Sequence, residues 1–161
     1  QNTFTFPTAV TDKKITLKEA IGDIIESPRF FNEETITEEH PTRKNHDVYT
    51  GSYDAKYMAR NRVRSWNEQS FTIQAQARNE PQHPQAPKMT YISSDKRIFA
   101  KGYELLYRRL SVRECARIQT FPDSFVFIYT DIKNGYKMVG NAVPPRLAYA
   151  IAIQIRNALP Q

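Results

Sequence analysis

The first apolar pattern along the chain has the spacing of a helix and lies in the stretch "ITLKEAIGDIIESP". Thr16 and Glu19 have the spacing of a capping box, in which each side chain binds the backbone N–H of the other residue. Because proline cannot continue a helix, the pattern predicts a helix that begins after Thr16 and ends before Pro28. Four apolar side chains would share one face of it, at Leu17, Ala20, Ile21 and Ile24.

The middle of the chain has the alternation that is typical of strands. In "SFTIQAQ" the apolar residues Phe71, Ile73 and Ala75 alternate with polar residues, so one face of a strand would be buried and the other polar. The stretch "KMTYIS", which starts at Lys88, predicts a second short strand. The proline-rich "HPQAP" between them, which starts at His83, predicts an extended loop.

Ser111 and Glu114 have the spacing of a second capping box, which predicts a helix that starts at about Val112 and that Pro122 ends. The single cysteine of the chain, Cys115, lies in this helix.

Two interpretations of Cys115 follow from its position. A hydrophobic staple would join it to Leu110, so we interpret it as a small packing residue. The alternative is a nucleophilic thiol, because Arg113, Arg117 and the helix N-terminus would lower its pKa. No histidine lies close to it in the sequence, which favours the packing role.

The last apolar pattern, "YKMVGNAVPPRLAYAIAIQIRNAL", predicts a glycine turn followed by a helix. Pro144 and Pro145 fit the first turn of that helix, where backbone N–H groups have no intrahelical acceptor. Apolar side chains cover most of the helix surface. We therefore expect the helix to pack against a body outside this chain.

Composition limits the class of protein. The chain has 161 residues, of which 40% are hydrophobic and 25% charged, enough for one large domain or one small domain with an extension. No apolar run reaches the roughly 20 residues of a membrane helix. A single cysteine permits no internal disulfide, and we expect a cytoplasmic protein. The histidines, His40, His46 and His83, lack the spacing of metal ligands, so no metal is predicted.

The net charge of +6 is unevenly distributed. Residues 1–40 contain four Lys or Arg and eight Asp or Glu, whereas residues 41–117 contain fifteen basic and seven acidic residues. A basic middle region is typical of a surface that binds a polyanion such as nucleic acid. A solvated charged face is the alternative interpretation of the same pattern.

Two motifs carry a resemblance to a known family. "RRLSVRECARIQTFPDSF", residues 108–125, resembles the ninth motif of the cytosine-C5 DNA methyltransferases, and "GNAVPPRLA", residues 140–148, resembles their tenth. "RNRVRSWNE", "FTIQAQAR" and "HPQAPKM" are similar to the target-recognition region of the HaeIII-type enzymes, which methylate GGCC. The resemblance covers essentially the whole chain.

The resemblance implies a mixed α/β fold. A small, irregular, β-containing recognition domain would carry flanking helices that complete a doubly wound S-adenosylmethionine-dependent methyltransferase domain. Residues 1–40 would form an N-terminal helix and an acidic linker. Residues 41–125 would form the DNA target-recognition region with the ninth motif. Residues 126–161 would hold the tenth motif and a helix that packs on the catalytic domain.

The family's chemistry requires groups that this sequence does not contain. No Pro-Cys dipeptide, G-x-G turn or Glu-Asn-Val tripeptide occurs in it. The resemblance therefore implies the carboxy-terminal part of such an enzyme, as an excised fragment or as one subunit of a split enzyme. Such a chain would be inactive alone. Its partners would be double-stranded DNA and the catalytic amino-terminal part, which would hold the main site for S-adenosylmethionine.

The resemblance also assigns roles to individual arginines. Arg60, Arg62 and Arg78 would read guanines, since a guanidinium fork pairs with guanine O6 and N7 in the major groove. Generic phosphate contact is the alternative. Tyr57 and Trp66 would stack on DNA or, as we prefer, pack in the core. Phosphate or salt-bridge roles are expected for three further arginines, Arg64, Arg108 and Arg109.

Two further groups of residues are assigned by the resemblance. Arg113, Glu114 and Gln119 would belong to the scaffold that orients the recognition loops. Asn141 and Ala142 would line the cofactor pocket from its far side; a simple turn is the alternative there.

The function implied is the DNA-recognition part of a DNA (cytosine-5-)-methyltransferase of a restriction–modification system. It would read a short GC-rich site, with GGCC as the specific expectation, and hold the duplex while the target cytosine is flipped out. A free-standing DNA-binding module without methylation activity is the alternative. An RNA-binding protein of the tRNA-modifying branch is a third and weaker one.

Overall fold

The computed structural model describes residues 4–8, 14–31 and 42–159. Its strands form two small sheets among these residues, β1–β2 parallel and β3–β4 antiparallel. This mixture of helices and short strands confirms the predicted mixed α/β class. The helices are α1 Leu17–Ile21, α2 Ala55–Met58, α3 Val112–Ile118, α4 Ile132–Asn141 and α5 Pro145–Ala158. The strands are β1 Arg29–Phe31, β2 Asp47–Tyr49, β3 Thr90–Ser93 and β4 Lys96–Ile98, and 3-10 turns span Ala77–Asn79 and Glu104–Leu106.

Helix α3 is the centre of the main core and contacts α1, α4 and β2. Its Cys115 and Ala116 are fully buried, and Tyr136 of α4 packs in the same cluster with its hydroxyl donating to the Leu110 carbonyl over 2.8 Å. The cluster takes residues from each of the three segments predicted from the sequence, whose division into domains remains a prediction. Other members are Leu17, Ile21, Tyr49, Ile73, Val112, Phe127, Ile132 and Val139.

A smaller cluster lies beneath the β3–β4 hairpin and contains Val63, Ala86, Met89 and Tyr107. The Tyr107 hydroxyl donates to the Pro87 carbonyl over 2.9 Å. The predicted loop at residues 83–87 and the predicted strand that follows it are both confirmed. The loop is well packed because most of its residues are buried.

The first helix is shorter than its apolar pattern predicts. The capping box between Thr16 and Glu19 is present, but α1 ends at Ile21 with Gly22 as its C-cap. The prediction of a helix reaching Pro28 is wrong. Ile24 still packs against the main core, although it lies beyond the end of the helix.

The stretch around Phe71 to Gln76 is not a strand, which corrects the prediction. Its side chains do alternate between more and less exposed positions, with Ile73 buried and Thr72 and Gln74 exposed. However, no neighbouring strand pairs with it in the described part of the chain. The alternation arises because only one side of this extended segment packs against the rest of the protein. An extended segment can show it without pairing as a strand.

Two further boundaries differ from the prediction. Helix α3 ends before Pro122, because Thr120 adopts a left-handed conformation (φ 68°) and the Phe121 N–H binds the Ala116 carbonyl over 2.9 Å, as in a Schellman motif. Gly140 and Asn141 lie in the last turn of α4 and not in a turn before a helix. The glycine is required there for close packing, which periodicity does not reveal.

Helix α5 begins at Pro145, with Pro144 as N-cap, close to the prediction. None of its described residues is buried. Three large apolar side chains on it are exposed, at Leu147, Tyr149 and Ile155, and so is Leu159 at its C-cap. The helix therefore has apolar surface that the described residues do not cover.

Candidate functional site

Three extended segments lie side by side and carry most of the predicted site residues. Val63 pairs in parallel with Gln82, and Gln82 pairs antiparallel with Arg109. The Gln82 N–H donates to the Arg62 carbonyl over 2.9 Å, and the His83 N–H donates to the Arg108 carbonyl over 2.8 Å. These bonds place residues 60–64, 78–83 and 108–110 on one platform although they are far apart in the sequence.

Arg60 and Arg62 line the same small cavity of about 180 Å³, together with Asn79. Arg60 is exposed and makes no hydrogen bond or ion pair with any residue that the structure describes. Arg62 is held in place: its Nε donates to the Tyr57 carbonyl over 3.1 Å, and its guanidinium lies 4.6 Å from the centre of the Tyr57 ring. The predicted pair is thus brought together at one surface.

Arg78 lies in the 3-10 turn Ala77–Asn79, and its side chain is exposed. Its backbone carbonyl accepts a hydrogen bond of 3.3 Å from Arg109 Nε. Because the next residue, Asn79, lines the cavity beside Arg60, all three predicted guanine readers lie on adjoining segments. We call Arg60, Arg62 and Arg78 the arginine surface.

Arg64 has partners within the protein. Its Nη1 donates to Glu68 over 3.1 Å, and its guanidinium lies 4.3 Å from the centre of the Phe71 ring. Hydrogen bonds from Ser65, and the neighbouring Arg64 and Lys88, lower the pKa of Glu68 to about 2. Of the two roles expected for Arg64, the structure contains the salt bridge.

Arg108 forms a bidentate ion pair with Glu114, and both hydrogen bonds measure 2.8 Å. Glu114 is fully buried, and its Oε2 also accepts the Ser111 N–H of the capping box. Burial alone would raise the pKa of Glu114, but the Arg108 bonds and charge lower it to about 2. The salt-bridge role expected for Arg108 is therefore present.

Arg109 has no exposed surface, which corrects the prediction that it contacts DNA. Its guanidinium donates to the carbonyls of Tyr49, Gly51 and Ser52, the shortest bond being 2.7 Å to Gly51. Its central carbon also lies 4.1 Å from the centre of the Tyr53 ring. A guanidinium enclosed in this way cannot reach a phosphate, and it joins β2 and the following loop to the platform.

Arg113 is also buried and binds backbone on both sides of α3. Its Nη2 donates to the Phe125 carbonyl over 2.7 Å and its Nε to the Lys44 carbonyl over 3.0 Å. Glu114 is next to it, and Gln119 forms the C-cap of the same helix. These positions suit a scaffold, although the orientation of loops against a catalytic domain stays a prediction.

Cys115 cannot act as the nucleophile that one interpretation allowed. Its side chain is fully buried, and burial raises the pKa of its thiol well above the ordinary value. Leu110 is buried in the same cluster, in agreement with the packing role. Its Sγ lies within hydrogen-bond reach of Glu80, 3.6 Å from Oε2.

A family model described as C-5 cytosine-specific DNA methylase matches residues 2–157. The chain belongs to this family.

Several curated relatives of this methylase chain are Type II methyltransferases. M.MthTI from Methanothermobacter thermautotrophicus is 50% identical over 156 residues, which are 97% of this chain and 47% of that protein. M.NgoPII from Neisseria gonorrhoeae is 46% identical over 166 residues, 97% of this chain and 46% of that protein. The chain thus spans about half the length of these relatives. DNA (cytosine-5)-methyltransferase 1 of Mus musculus is 53% identical over 53 residues, 33% of this chain and 3% of that protein.

Members of the C-5 cytosine-specific methylase family use S-adenosylmethionine, and the two residues that the resemblance assigns to its pocket lie at the end of α4. Asn141 is exposed at the end of α4, and Ala142 beside it is half-buried. Neither residue lines the cavity at Arg60 or the larger groove of about 930 Å³ between α1 and the end of α3. The contribution of Asn141 and Ala142 to a cofactor site therefore stays a prediction.

The remaining predicted groups have structural positions in the methylase chain. Tyr57 is buried and Trp66 half-buried against the main core, in agreement with the packing role that we preferred. His46 and His83 are buried, and His40 lies outside the described residues. Over the described ranges, no group of three His, Cys, Asp or Glu side chains could hold a metal. No helix in those ranges is long and apolar enough to span a membrane.

Two residues that connect distant segments near the platform have no recognisable signal in the sequence. Asn45, at a positive φ of 63°, joins three groups: its Nδ2 donates to the Phe127 carbonyl over 2.8 Å, and its Oδ1 accepts from the Phe127 N–H and from Arg113. Tyr53 stacks on Arg109. A lone asparagine or tyrosine in a polar stretch has no periodicity from which such contacts could be inferred.

Proposed function

We propose that this chain is the DNA-recognition part of a DNA (cytosine-5-)-methyltransferase of a restriction–modification system. The arginine surface would read a short GC-rich site in the major groove of double-stranded DNA, with GGCC as the specific proposal. The main support is that Arg60 is exposed and unpaired among the described residues, beside an Arg62 whose Nε and ring contacts with Tyr57 fix its direction.

The chemistry of arginine fits base recognition at this surface. A guanidinium held through its Nε, as in Arg62, keeps both Nη groups in the fork that pairs with guanine O6 and N7. A phosphate-binding residue needs no such fixed direction, because a phosphate accepts hydrogen bonds from many angles. Arg78 on the adjoining turn would extend the contact.

The reaction itself requires groups from a second part of the enzyme. The sequence contains neither the Pro-Cys dipeptide of the catalytic loop nor a G-x-G turn for the cofactor. We propose that a catalytic amino-terminal domain or subunit supplies both and holds most of the S-adenosylmethionine. Asn141 and Ala142 would complete that site from this side. The scaffold residues Arg113, Glu114 and Gln119 would hold the recognition loops against it, in an enzyme that works in the cytoplasm.

The test uses the active enzyme that contains this chain or is reconstituted with it. Arg60→Ala and Arg78→Ala should each reduce discrimination between the matched site and single-base variants by about 1–3 kcal/mol. Discrimination is measured by protection of a set of DNA duplexes against a restriction enzyme after methylation. Lys18→Ala, which removes an exposed charge on α1, is the matched control and should leave discrimination unchanged.

Other outcomes have distinct meanings. If the arginines contact only phosphates, each substitution should weaken binding to all sequences equally and reduce the salt dependence of binding by about one charge. If the 161-residue chain transfers labelled methyl groups to DNA by itself, the division of labour proposed here is wrong. If the chain binds one DNA sequence but no assembled enzyme methylates it, the free-standing module is indicated. If the chain prefers tRNA over duplex DNA, the RNA-binding alternative is indicated.

A further inference from the structure

Two hydrogen bonds attach the residues on either side of Arg60 to the β3–β4 hairpin. On one side, Arg97 of β4 donates through Nη1 to the Ala59 carbonyl. On the other side, Asn61 Oδ1 accepts the N–H of Met89, the residue before β3, over 3.0 Å. The hairpin partners lie 38 and 28 positions further along the chain. The exposed Arg60 therefore lies between two anchors that come from one distant element.

The bond from Arg97 reaches the end of the helix that precedes Arg60. Ala59 is the C-cap of α2, and the last carbonyls of a helix have no intrahelical donor. An arginine side chain is a suitable donor for such a carbonyl. Arg97 is itself held in the hairpin, where its guanidinium lies 5.3 Å from the centre of the ring of Tyr91, its partner across the two strands. The hairpin thus fixes the point at which the chain leaves α2.

The side chain of Asn61 fixes the chain after Arg60. Besides the bond from Met89, its Oδ1 accepts the Val63 N–H over 3.4 Å and its Nδ2 donates to the Val63 carbonyl over 2.7 Å. Val63 and Met89 are both buried in the small cluster beneath the hairpin. One amide group therefore connects the segment that carries Arg60 to the backbone at the base of the hairpin.

Arg62 does not depend on these two bonds. Its Nε donates to the Tyr57 carbonyl over 3.1 Å, and its own backbone carbonyl accepts the Gln82 N–H over 2.9 Å. Neither partner belongs to the hairpin. Arg60 has no comparable side-chain contact among the described residues, so the direction of its guanidinium depends on how its backbone is held. Loss of the hairpin bonds should therefore affect Arg60 more than Arg62.

We propose that Arg97 and Asn61 are positioning residues for base recognition: their bonds attach the chain before and after Arg60 to the β3–β4 hairpin and so set where the Arg60 guanidinium meets the DNA. The inference rests on the proposed function of the arginine surface. Arg97 and Asn61 act through Arg60 and need no contact with a base.

The test compares Arg97→Met and Asn61→Leu in the active enzyme that contains this chain or is reconstituted with it. Arg60→Ala and Arg62→Ala first show which base pair of the site each arginine reads. Methionine keeps the length of the side chain but removes the donor, and leucine removes the acceptor. Both variants should reduce discrimination at the Arg60 base pair at least about fivefold, the lower end of what one arginine–guanine contact supplies. Discrimination at the Arg62 base pair should stay unchanged.

Matched variants separate the bond from charge and from stability. Arg97→Lys keeps the charge and a donor for the Ala59 carbonyl, so it should retain discrimination. Lys96→Met removes a charge from an exposed side chain of the same strand and should leave discrimination unchanged. Ile21→Ala removes a buried side chain from the main core and should also leave it unchanged. In R97M/R60A the loss should be no larger than in R60A, because the two residues act through one contact.

The inference is overturned if either R97M or N61L keeps full discrimination at the Arg60 base pair, if R97K is as defective as R97M, or if the losses of R97M and R60A add. Equal losses at the Arg60 and Arg62 base pairs would also overturn it. A phosphate contact by Arg97 would instead weaken binding to all sequences and lower its salt dependence by about one charge, with an unchanged discrimination ratio. That result contradicts a positioning role. An R60A enzyme with full discrimination would overturn the proposed role of Arg60 itself.

Hydrogen exchange gives a second measurement that does not depend on activity. The Met89 amide should be protected in the wild type and should exchange at least about tenfold faster in N61L, since its acceptor is gone. The Cys115 amide, which donates to the Ser111 carbonyl over 2.9 Å in α3, is the control and should not change. Unchanged protection of the Met89 amide, or equal acceleration of both amides, would overturn the inference whatever the enzyme assay gave.

Discussion

The guanidinium of Arg108 and the carboxylate of Glu114 are joined by two parallel hydrogen bonds of 2.8 Å, Nη1 to Oε2 and Nη2 to Oε1. The same carboxylate caps α3 through the Ser111 N–H over 2.7 Å. One buried side chain thus fixes the start of the central helix and the last segment of the platform. The spacing of Ser111 and Glu114 predicted the cap, but not the arginine that shares it.

Replacing Arg108 by leucine should be strongly destabilising. It leaves the fully buried Glu114 carboxylate without its cation, and breaking a buried pair from one side costs about 3–5 kcal/mol. The free energy of unfolding from urea titration of the chain checks this value. Arg64→Leu breaks a more exposed pair with Glu68 and should cost much less, because solvent screens that pair. Equal costs for the two variants would contradict the buried role of Glu114.

His83 should make the folded chain sensitive to acid. Burial lowers the pKa of His83 from 6.5 to about 4, although the nearby Glu114 charge acts in the opposite direction. The folded state therefore keeps His83 neutral where the unfolded chain binds a proton. The stability due to this difference is present above pH 6.5 and is lost as the pH falls towards 4.

The variant His83→Gln should remove this part of the pH dependence. Its midpoint of thermal unfolding should change less between pH 7 and pH 5 than that of the wild type, because glutamine binds no proton. His46→Gln is an unsuitable control, since His46 is bound to Ser111 and Glu26. Lys18→Ala serves instead, and an identical pH profile for H83Q and wild type would contradict the prediction.

Glu80 should give a pH dependence of the opposite sign. Burial raises the pKa of Glu80, so the folded state keeps a proton that the unfolded chain releases above its ordinary value of 4.5. The stability due to this difference is present below pH 4.5 and is lost as the pH rises.

Glu80→Gln removes the group that titrates. We expect the midpoint of urea unfolding of E80Q to exceed that of the wild type at pH 8, and the difference to become smaller towards pH 4. A difference that stays constant across this range would mean that the Glu80 carboxyl ionises equally in both states.

Gly140→Ala should be costly for a reason that is specific to its place on α4. The new methyl group would lie 2.5 Å from the Ala75 nitrogen and closer to the Gln74 carbonyl. These are backbone atoms, so the clash can be relieved only if the chain at residues 74–75 moves. Overpacking of this kind costs about 1–3 kcal/mol. Asn134→Ala, at an exposed position of the same helix, should change the unfolding free energy by less than about 0.5 kcal/mol.

The local signals of the sequence were accurate where a short stretch decides the structure by itself. Both capping boxes are present, because their hydrogen bonds join residues three positions apart. The start of α5 at Pro145 follows from the fixed geometry of proline. Helix ends were less predictable: Gly22 and Thr120 stop their helices before the prolines that were expected to do so.

The distribution of charged residues along the sequence showed that the middle region is basic. It did not show which arginines of that region are accessible. Arg60 and Arg109 both lie in the basic middle region, yet Arg60 is exposed while Arg109 is enclosed by three backbone carbonyls and aromatic rings. The residues next to Arg60 and Arg109 in the sequence do not indicate which of the two side chains is exposed. The carbonyls that bind Arg109 come from residues nearly sixty positions away, and only folding brings them there.

The amino-acid sequence by itself determined the family, the mixed fold class, the starts of α1, α3 and α5 and the candidate arginines, because each depends on residue identity at short and fixed spacing. The tertiary structure alone decided that residues 60–64, 78–83 and 108–110 form one platform, and that Arg109 is internal. These features depend on contacts between distant segments, whose free energy is set by packing and desolvation and not by local pattern.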